Sequence, residues 1–328
     1  MELDSSPASS NSLIPTTQQG LTTLTDQQQK ARDFYHSGLY GALNSQKAYL
    51  SDLGHYLDWY GQKEYQALPS TPQTLAEYVT DLAESKAFFT IQRRLASIAK
   101  YHRINQHLSP TTQEPFKVFM KGVKKKMSVR QKEAPDFTLE EFRQALTILP
   151  ATPTGIRDRL LLVLGFTGAF RRSELVALNL EDLTVKPSGL LIQISRSKTN
   201  QAGEREEKYV AKAKNAAYCP LTIYQEWLSF INRSEGPLFV RIRKGERPTL
   251  ERLSDDYVNL LTKRMFQQAG KNYTAHSLRA SFVTIAKDSG VDNRKIQNQT
   301  KHKTTSMLDR YDRRRDVITQ NASTELDL

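Results

Sequence analysis

Between Lys121 and Lys132 the chain carries Lys121, Lys124, Lys125, Lys126, Arg130 and Lys132, six cations in twelve positions, with Glu133 the adjacent acid. Like charges at that density repel one another and resist burial. No single core can run through such a stretch, so the segments on either side must each bury their own apolar side chains. With 328 residues there is chain enough for two domains. The run 121–136 is read as a basic linker, and the capping box Thr138 to Glu141 after Pro135 as the start of a second domain over 137–328.

The charge excess extends beyond the linker. Lys and Arg number 47 against 35 Asp and Glu, a formal net charge of +12. Such an excess suits a polyanionic partner, because neutralising phosphates and releasing their counterions supplies most sequence-independent affinity for nucleic acid. A merely basic protein is the plain alternative, and an anionic membrane surface fits less well because no long basic amphipathic helix stands out. Cys219 is the single cysteine, which excludes an intramolecular disulfide and a Cys-rich zinc site and fits a reducing cytoplasm. The longest apolar run, around Leu160 to Phe170, is interrupted by Gly165, Thr167 and Gly168 and is too short to span a bilayer. No basic region followed by an apolar stretch opens the chain, so no signal peptide is expected.

Residues 1–24 are dominated by Ser, Thr, Gln and Pro and are expected to form a disordered arm. From 25 to 120 the pattern is that of several short helices. Tyr49, Leu53, Tyr56, Leu57 and Tyr60 recur at helical spacing. Thr74 to Glu77 reads as a capping box opening a helix that buries Leu75, Val79 and Leu82. Thr90 opens another, with Ile91, Leu95 and Ile98 as its inner stripe. Its other side carries Arg93, Arg94, Ser97 and Lys100, which is either a face for a nucleic-acid groove or an ordinary solvated surface. The second domain mixes a buried helix at 157–166, a hairpin of Leu190–Ile194 with Glu206–Val210, and helices at 221–231, 255–268, 277–287 and around Tyr311. Gly270 is read as the stop of the third of these helices.

The last quarter concentrates reactive side chains: His276-Ser277-Leu278-Arg279, then His302, then Tyr311-Asp312-Arg313-Arg314. Far upstream stand Arg171-Arg172-Ser173-Glu174. Two arginines suit a phosphorane, whose extra negative charge calls for fixed cations, and the planar guanidinium binds it through paired hydrogen bonds without deprotonating. A phenol with an ordinary pKa of about 10 needs nearby cations and a proton acceptor before it attacks phosphorus. Lys198, in the loop Arg196-Ser197-Lys198-Thr199, is a fit donor for the departing oxygen. No carboxylate pair has two-metal spacing and no Gly-rich phosphate loop is found, so neither a metal ion nor ATP is expected as a cofactor.

Thr167-Gly168-Ala169-Phe170-Arg171-Arg172-Ser173-Glu174-Leu175 resembles the first box of the tyrosine recombinases, the phage-integrase family that includes Cre and the Xer proteins. His276-Ser277-Leu278-Arg279 resembles their His-x-x-Arg box, and His302 with Tyr311 their terminal His and Tyr. The resemblance implies a mainly α fold with a small β-sheet: an N-terminal helical core-binding (SAM-like) domain and an α+β catalytic domain. It implies Arg171 and Arg279 as phosphate clamps, Lys198 as general acid, and His276 as proton acceptor. His302 would be the second phosphate-contacting group, Tyr311 the nucleophile, and Glu174 a buttress. Phe170 is an extra residue in the first box, which leaves Arg171 and Arg172 both eligible, with the Arg-x-Ser-Glu spacing favouring Arg171. Lys301 stands where a glycine usually precedes the second histidine.

The expected activity is site-specific DNA recombination through a 3′-phosphotyrosine and a Holliday junction, without metal or ATP. A type IB topoisomerase and a silent DNA-binding protein are the alternatives. Expected contacts to DNA are Arg93, Arg94, Ser97, Lys100, Lys121, Lys124, Lys125, Lys126 and Arg130. Expected partners are double-stranded DNA with inverted repeats and further copies of the chain, two on one site and four in the synapse, in a bacterial or phage-encoded cytoplasmic setting.

Overall fold

A computed structural model describes residues 41, 43–127, 134–194, 206–267, 270–302, 304 and 308. The chain divides into two compact units between Gln131 and Lys132. Among the described residues the fold is mainly helical with small antiparallel sheets, as expected. No described helix is long and apolar enough to cross a membrane.

The first unit contains α1 (Leu43–Gln62), α2 (Pro72–Ser85), α3 (Phe88–Ile104) and α4 (Glu114–Lys126). The helical stripe read in α1 is buried at Tyr49, Leu53, Tyr56 and Tyr60, against Leu75, Val79 and Leu82 of α2 and Ile91, Leu95 and Ile98 of α3. Two starts differ from expectation. Helix α2 begins one turn earlier than the Thr74 box: Thr71 is its cap, with Thr71 Oγ1 accepting from the Thr74 amide at 3.1 Å. Pro72, which has no N–H to leave unsatisfied and a φ already suited to the first turn, makes that earlier start favourable. Glu77 instead accepts the Tyr65 hydroxyl at 3.0 Å. Helix α3 begins at Phe88 rather than Thr90, with Ala87 as its cap residue.

The expected linker is also corrected. Lys121, Lys124, Lys125 and Lys126 belong to α4, whose last turn holds three of them. Phe116, Phe119, Met120 and Val123 recur at helical spacing and pack on the first unit's core, while lysines at the C-terminal end meet the negative pole of the helix dipole. A helix therefore tolerates there a charge density that a compact core does not. Arg130 and Lys132 lie outside the described residues.

The second unit contains α5 (Leu139–Thr147), α6 (Pro153–Thr167) and α7 (Arg172–Ala177). Next come β1 (Leu183–Lys186), β2 (Gly189–Ile194), β3 (Glu206–Ala211) and α8 (Pro220–Ile231), then β4 (Val240–Arg243) and β5 (Arg247–Arg252). Last among the described elements are α9 (Asp255–Met265), α10 (Ala275–Asp288) and α11 (Asn293–Thr300). Helix α6 is buried almost all round, as a central helix without a polar face must be. At Gly165 an added Cβ would sit 2.9 Å from Leu278 Cδ1 and 3.2 Å from Leu175 Cδ2, so the missing side chain is what lets α7 and α10 approach. Phe137 stacks on Phe266 with ring centroids 4.5 Å apart, joining the start of the unit to the end of α9.

The three-stranded antiparallel sheet has the order β1-β2-β3, with Leu190 opposite Val210 and Ile194 opposite Glu206. The expected hairpin is present. Strand β1, the β4–β5 pair and α11 were not anticipated. Helix α11 buries only Ile296 and Thr300 of its eight residues, too few to leave an apolar period in the sequence. Helix α9 ends at Met265, short of the expected 268, and Gly270, at φ +69°, lies in the turn beyond it.

Candidate active site

The site is built around the end of α6. The Gly168 amide donates to Leu164 O at 2.8 Å, the Ala169 amide to Phe166 O at 3.0 Å and the Phe170 amide to Gly165 O at 3.2 Å. These bonds close the helix and turn the chain sharply, with Ala169 in the left-handed region at φ +46°. Such a residue is the usual way to satisfy the last carbonyls of a helix, although glycine is the usual occupant. Glycine is required one residue earlier for a different reason: a Cβ on Gly168 would lie 2.2 Å from the Phe170 ring. Phe170, the extra residue of the first box, is thus folded back as a buried plug.

Arg171 follows in extended conformation as the cap of α7. Its amide donates to Glu174 Oε2 at 3.1 Å, and its guanidinium pairs with Glu174 Oε1. Glu174 is buried, so the expected buttress is an ion pair that holds Arg171 by both backbone and side chain. Arg172 turns away. Its Nε lies 3.1 Å from Asp255 Oδ2 and its Nη1 3.1 Å from Asp256 Oδ1, on the first turn of α9, and it is exposed. These partners set the two arginines apart. Arg171 faces the reactive cluster and Arg172 does not.

Helix α10 is capped by Thr274 and Ser277, and carries His276 and Arg279 one turn apart on the same face. Arg279 is 1% exposed. Its Nη1 donates to Ala169 O at 2.6 Å and its Nη2 to Thr300 O at 2.5 Å. One guanidinium therefore joins the turn before Arg171 to the end of α11. Gln299 reinforces the junction, donating to Thr167 O at 2.8 Å and to Tyr209 O at 3.1 Å. After Thr300 the chain turns through Lys301 at φ +55°, which keeps the left-handed geometry a glycine would supply there, and delivers His302.

The two imidazoles are held neutral. Desolvation lowers the pKa of His276, and the Arg279 and Arg171 charges lower it further, although the residue as a whole is exposed at the mouth of the cluster. His302 is driven down to about 3, first by desolvation and then by Arg279, Arg171, His276 and Lys208. A neutral imidazole both accepts a proton and donates a hydrogen bond. The cluster thus offers fixed cations beside two uncharged proton carriers.

Lys208 was missed by the sequence reading. It is 2% exposed on β3 and donates to Gly168 O at 2.7 Å and Ala169 O at 3.2 Å. The available signal was its register: it alternates with Val210 on the inward face of a strand, where an apolar residue is the ordinary choice.

Lys198 and Tyr311 lie outside the described residues, as does Arg130. The polar face of α3 is partly engaged within the first unit. Asp52, buried at 1%, accepts from Arg93 Nη1 at 2.6 Å and from Ser97 Oγ at 3.0 Å, and Arg94 Nε lies 3.8 Å from it. Lys100 sits over the Tyr49 ring at 4.9 Å. Ser97 is buried and the Arg94 side chain nearly so, because a buried carboxylate must be paired; this polar stripe joins α3 to α1. Arg93 alone of the first three keeps half its side chain exposed.

Residues 135–316 match the phage integrase family, and the chain belongs to that family. It is a tyrosine site-specific recombinase. The Integrase/recombinase xerD homolog of Selenomonas ruminantium is 30% identical over 286 residues, 85% of this chain and 84% of that protein. Tyrosine recombinase XerC of Pelotomaculum thermopropionicum is 27% identical over 274 residues, covering 78% and 83%. The fold is similar to that of the XerH site-specific recombinase bound to palindromic difH substrate, with a TM-score of 0.61 at 18% identity over 87% of this chain and 78% of that one. It is also similar to a lambda integrase dimer bound to a COC′ core site, with a TM-score of 0.59 at 14% identity over 88% and 96%.

Proposed function

We propose that the protein cuts and rejoins double-stranded DNA at a specific inverted-repeat site through a 3′-phosphotyrosine, needing neither metal nor ATP. The observation that carries this reading is the bond from Arg279 to the carbonyl of Ala169, two residues before Arg171. It draws two guanidinium-bearing segments, 110 positions apart, to one turn. In the proposed reaction the phenol oxygen of Tyr311 attacks the scissile phosphorus and its proton passes to the neutral His276. Arg171 and Arg279 stabilise the charge that builds on the non-bridging oxygens, and His302 donates a hydrogen bond to the same phosphate. The P–O5′ bond breaks as Lys198 gives its proton to the leaving oxygen. The phosphodiester energy is kept in the tyrosyl ester, so a 5′-hydroxyl from a second duplex reverses the step and exchanges strands through a Holliday junction.

The DNA-bound neighbours support a duplex as the partner, and exchange between two sites calls for several copies of the chain, two per site. The test is a nicked suicide duplex bearing a site selected from a random pool. The expected result is a covalent protein–DNA adduct that Tyr311→Phe abolishes. An adduct that persists in Tyr311→Phe overturns the mechanism, and specific binding without any adduct in the parent favours a silent DNA-binding protein.

A further inference from the structure

A lysine on the inward face of a strand needs a reason. Desolvating an ammonium costs several kcal/mol unless it is paired, and Lys208 is paired with carbonyls instead of a carboxylate. The nearest acid in the cluster, Glu174, is already committed to Arg171. The acceptors, Gly168 O and Ala169 O, belong to the C-terminal end of α6, where carbonyls lack intrahelical partners and the helix dipole is negative. The Phe170 ring lies 4.4 Å from the amine, a distance at which a cation is attracted to the ring face. The same Ala169 oxygen receives Arg279 at 2.6 Å. On either side, Gln299 ties Thr167 to Tyr209, the neighbours of Gly168 and Lys208.

We propose that Lys208 is a positioning residue of the strand-transfer site: by clasping the Gly168 and Ala169 carbonyls from the sheet, it holds the acceptor that orients Arg279 and the turn that presents Arg171. The inference rests on the proposed phosphotyrosine reaction. Without the amine, two helix-end carbonyls lose a donor and the Phe170 plug loses its partner, while the packing of β3 against β2 needs only an apolar chain of similar length. Lys208 also places a titratable charge in the cluster. Burial lowers its pKa to about 7, with Arg279 as the next cause; Glu174 opposes the shift, and Arg171 and Lys301 add to it. His302 faces the same amine, and its neutral imidazole adds no opposing charge. As pH rises through that value the cluster loses one positive charge beside Arg279, so attack on an anionic phosphate weakens.

The experiment uses the full chain, the selected nicked duplex and single-turnover cleavage, with duplex affinity measured separately. Lys208→Met is expected to slow adduct formation by about 100-fold, the order that an ångström-scale misplacement of catalytic groups costs, with affinity unchanged within about twofold. The parent's second-order cleavage rate is expected to decline on the alkaline side of about pH 7; Lys208→Arg is expected to recover most of the rate and to remove that decline, because guanidinium does not deprotonate. Should Lys208→Met fail to fold, Lys208→Arg still decides the matter through its pH profile. The inference is overturned if Lys208→Met cleaves like the parent, if affinity falls in step with rate, or if Lys208→Arg keeps the parent's profile. Tyr311→Phe in the same assay separates the two ideas: an adduct that survives it removes the phosphotyrosine reading, not the role of Lys208 alone.

Discussion

Replacing Gly168 by alanine places a methyl carbon 2.2 Å from Phe170 Cε2, 2.5 Å from Cδ2 and 2.8 Å from Leu164 O. The backbone gives no reason for glycine, since φ −84° and ψ −6° are open to any residue. The destabilising part of the effect is therefore steric. Phe170 is 2% exposed and cannot swing outward without leaving a cavity, and Leu164 O is main chain. Overpacking of this kind costs about 1–3 kcal/mol, and contacts as close as 2.2 Å to a buried ring and 2.8 Å to main chain put it at the upper end; an offset of roughly 0.4–1 kcal/mol from the stiffer unfolded chain leaves a net loss of about 2 kcal/mol. Urea unfolding of the second unit, followed through Trp227 in a Trp59→Phe background, reads that loss as a lower midpoint at unchanged slope. Gly165→Ala supplies the contrast, because its methyl meets only the side-chain ends of Leu278 at 2.9 Å and Leu175 at 3.2 Å. It is expected to cost less. A Gly168→Ala protein as stable as the parent, or a larger loss at Gly165, refutes the account of the turn.

Arg171→Ala is expected to lower single-turnover cleavage by at least about 100-fold, the scale for losing one donor to a transition-state oxyanion. Arg172→Ala removes only exposed pairs with Asp255 and Asp256, worth less than about 1 kcal/mol, and should leave cleavage within a few-fold of the parent; the reverse ranking refutes the choice of Arg171. His302 has a folded pKa of about 3 against an ordinary 6.5, so between those values the unfolded chain binds a proton that the folded chain does not. Its contribution to stability is complete above 6.5 and is lost as pH falls toward 3. His302→Gln should accordingly flatten the acid limb of a stability-against-pH curve, and an unchanged limb counts against the neutral imidazole.

The helical periods around Tyr49, Leu75 and Ile91 were readable because α1, α2 and α3 bury one stripe each, and the period of a stripe is local. The hairpin of β2 and β3 was readable for the same reason, through its alternation. Helix α11 was not, since two buried residues in eight carry no period. The lysines of α4 were misjudged because charge density predicts repulsion but does not reveal a helix end that accommodates it.

Residue kinds and their order in the chain were enough to determine the family and the two-part organisation, and to single out Arg171, His276, Arg279 and His302 as candidates. Tertiary structure alone decided which of Arg171 and Arg172 faces the cluster, that Asp52 draws Arg93, Arg94 and Ser97 together, and that Lys208 reaches the Gly168 and Ala169 carbonyls. The physical reason is range. Helix and strand periods are set by neighbours within a turn or two, whereas Lys208 meets Gly168 across 40 positions and Arg279 meets Ala169 across 110. Only the packing of α6, β3, α10 and α11 brings those partners within a hydrogen bond of one another.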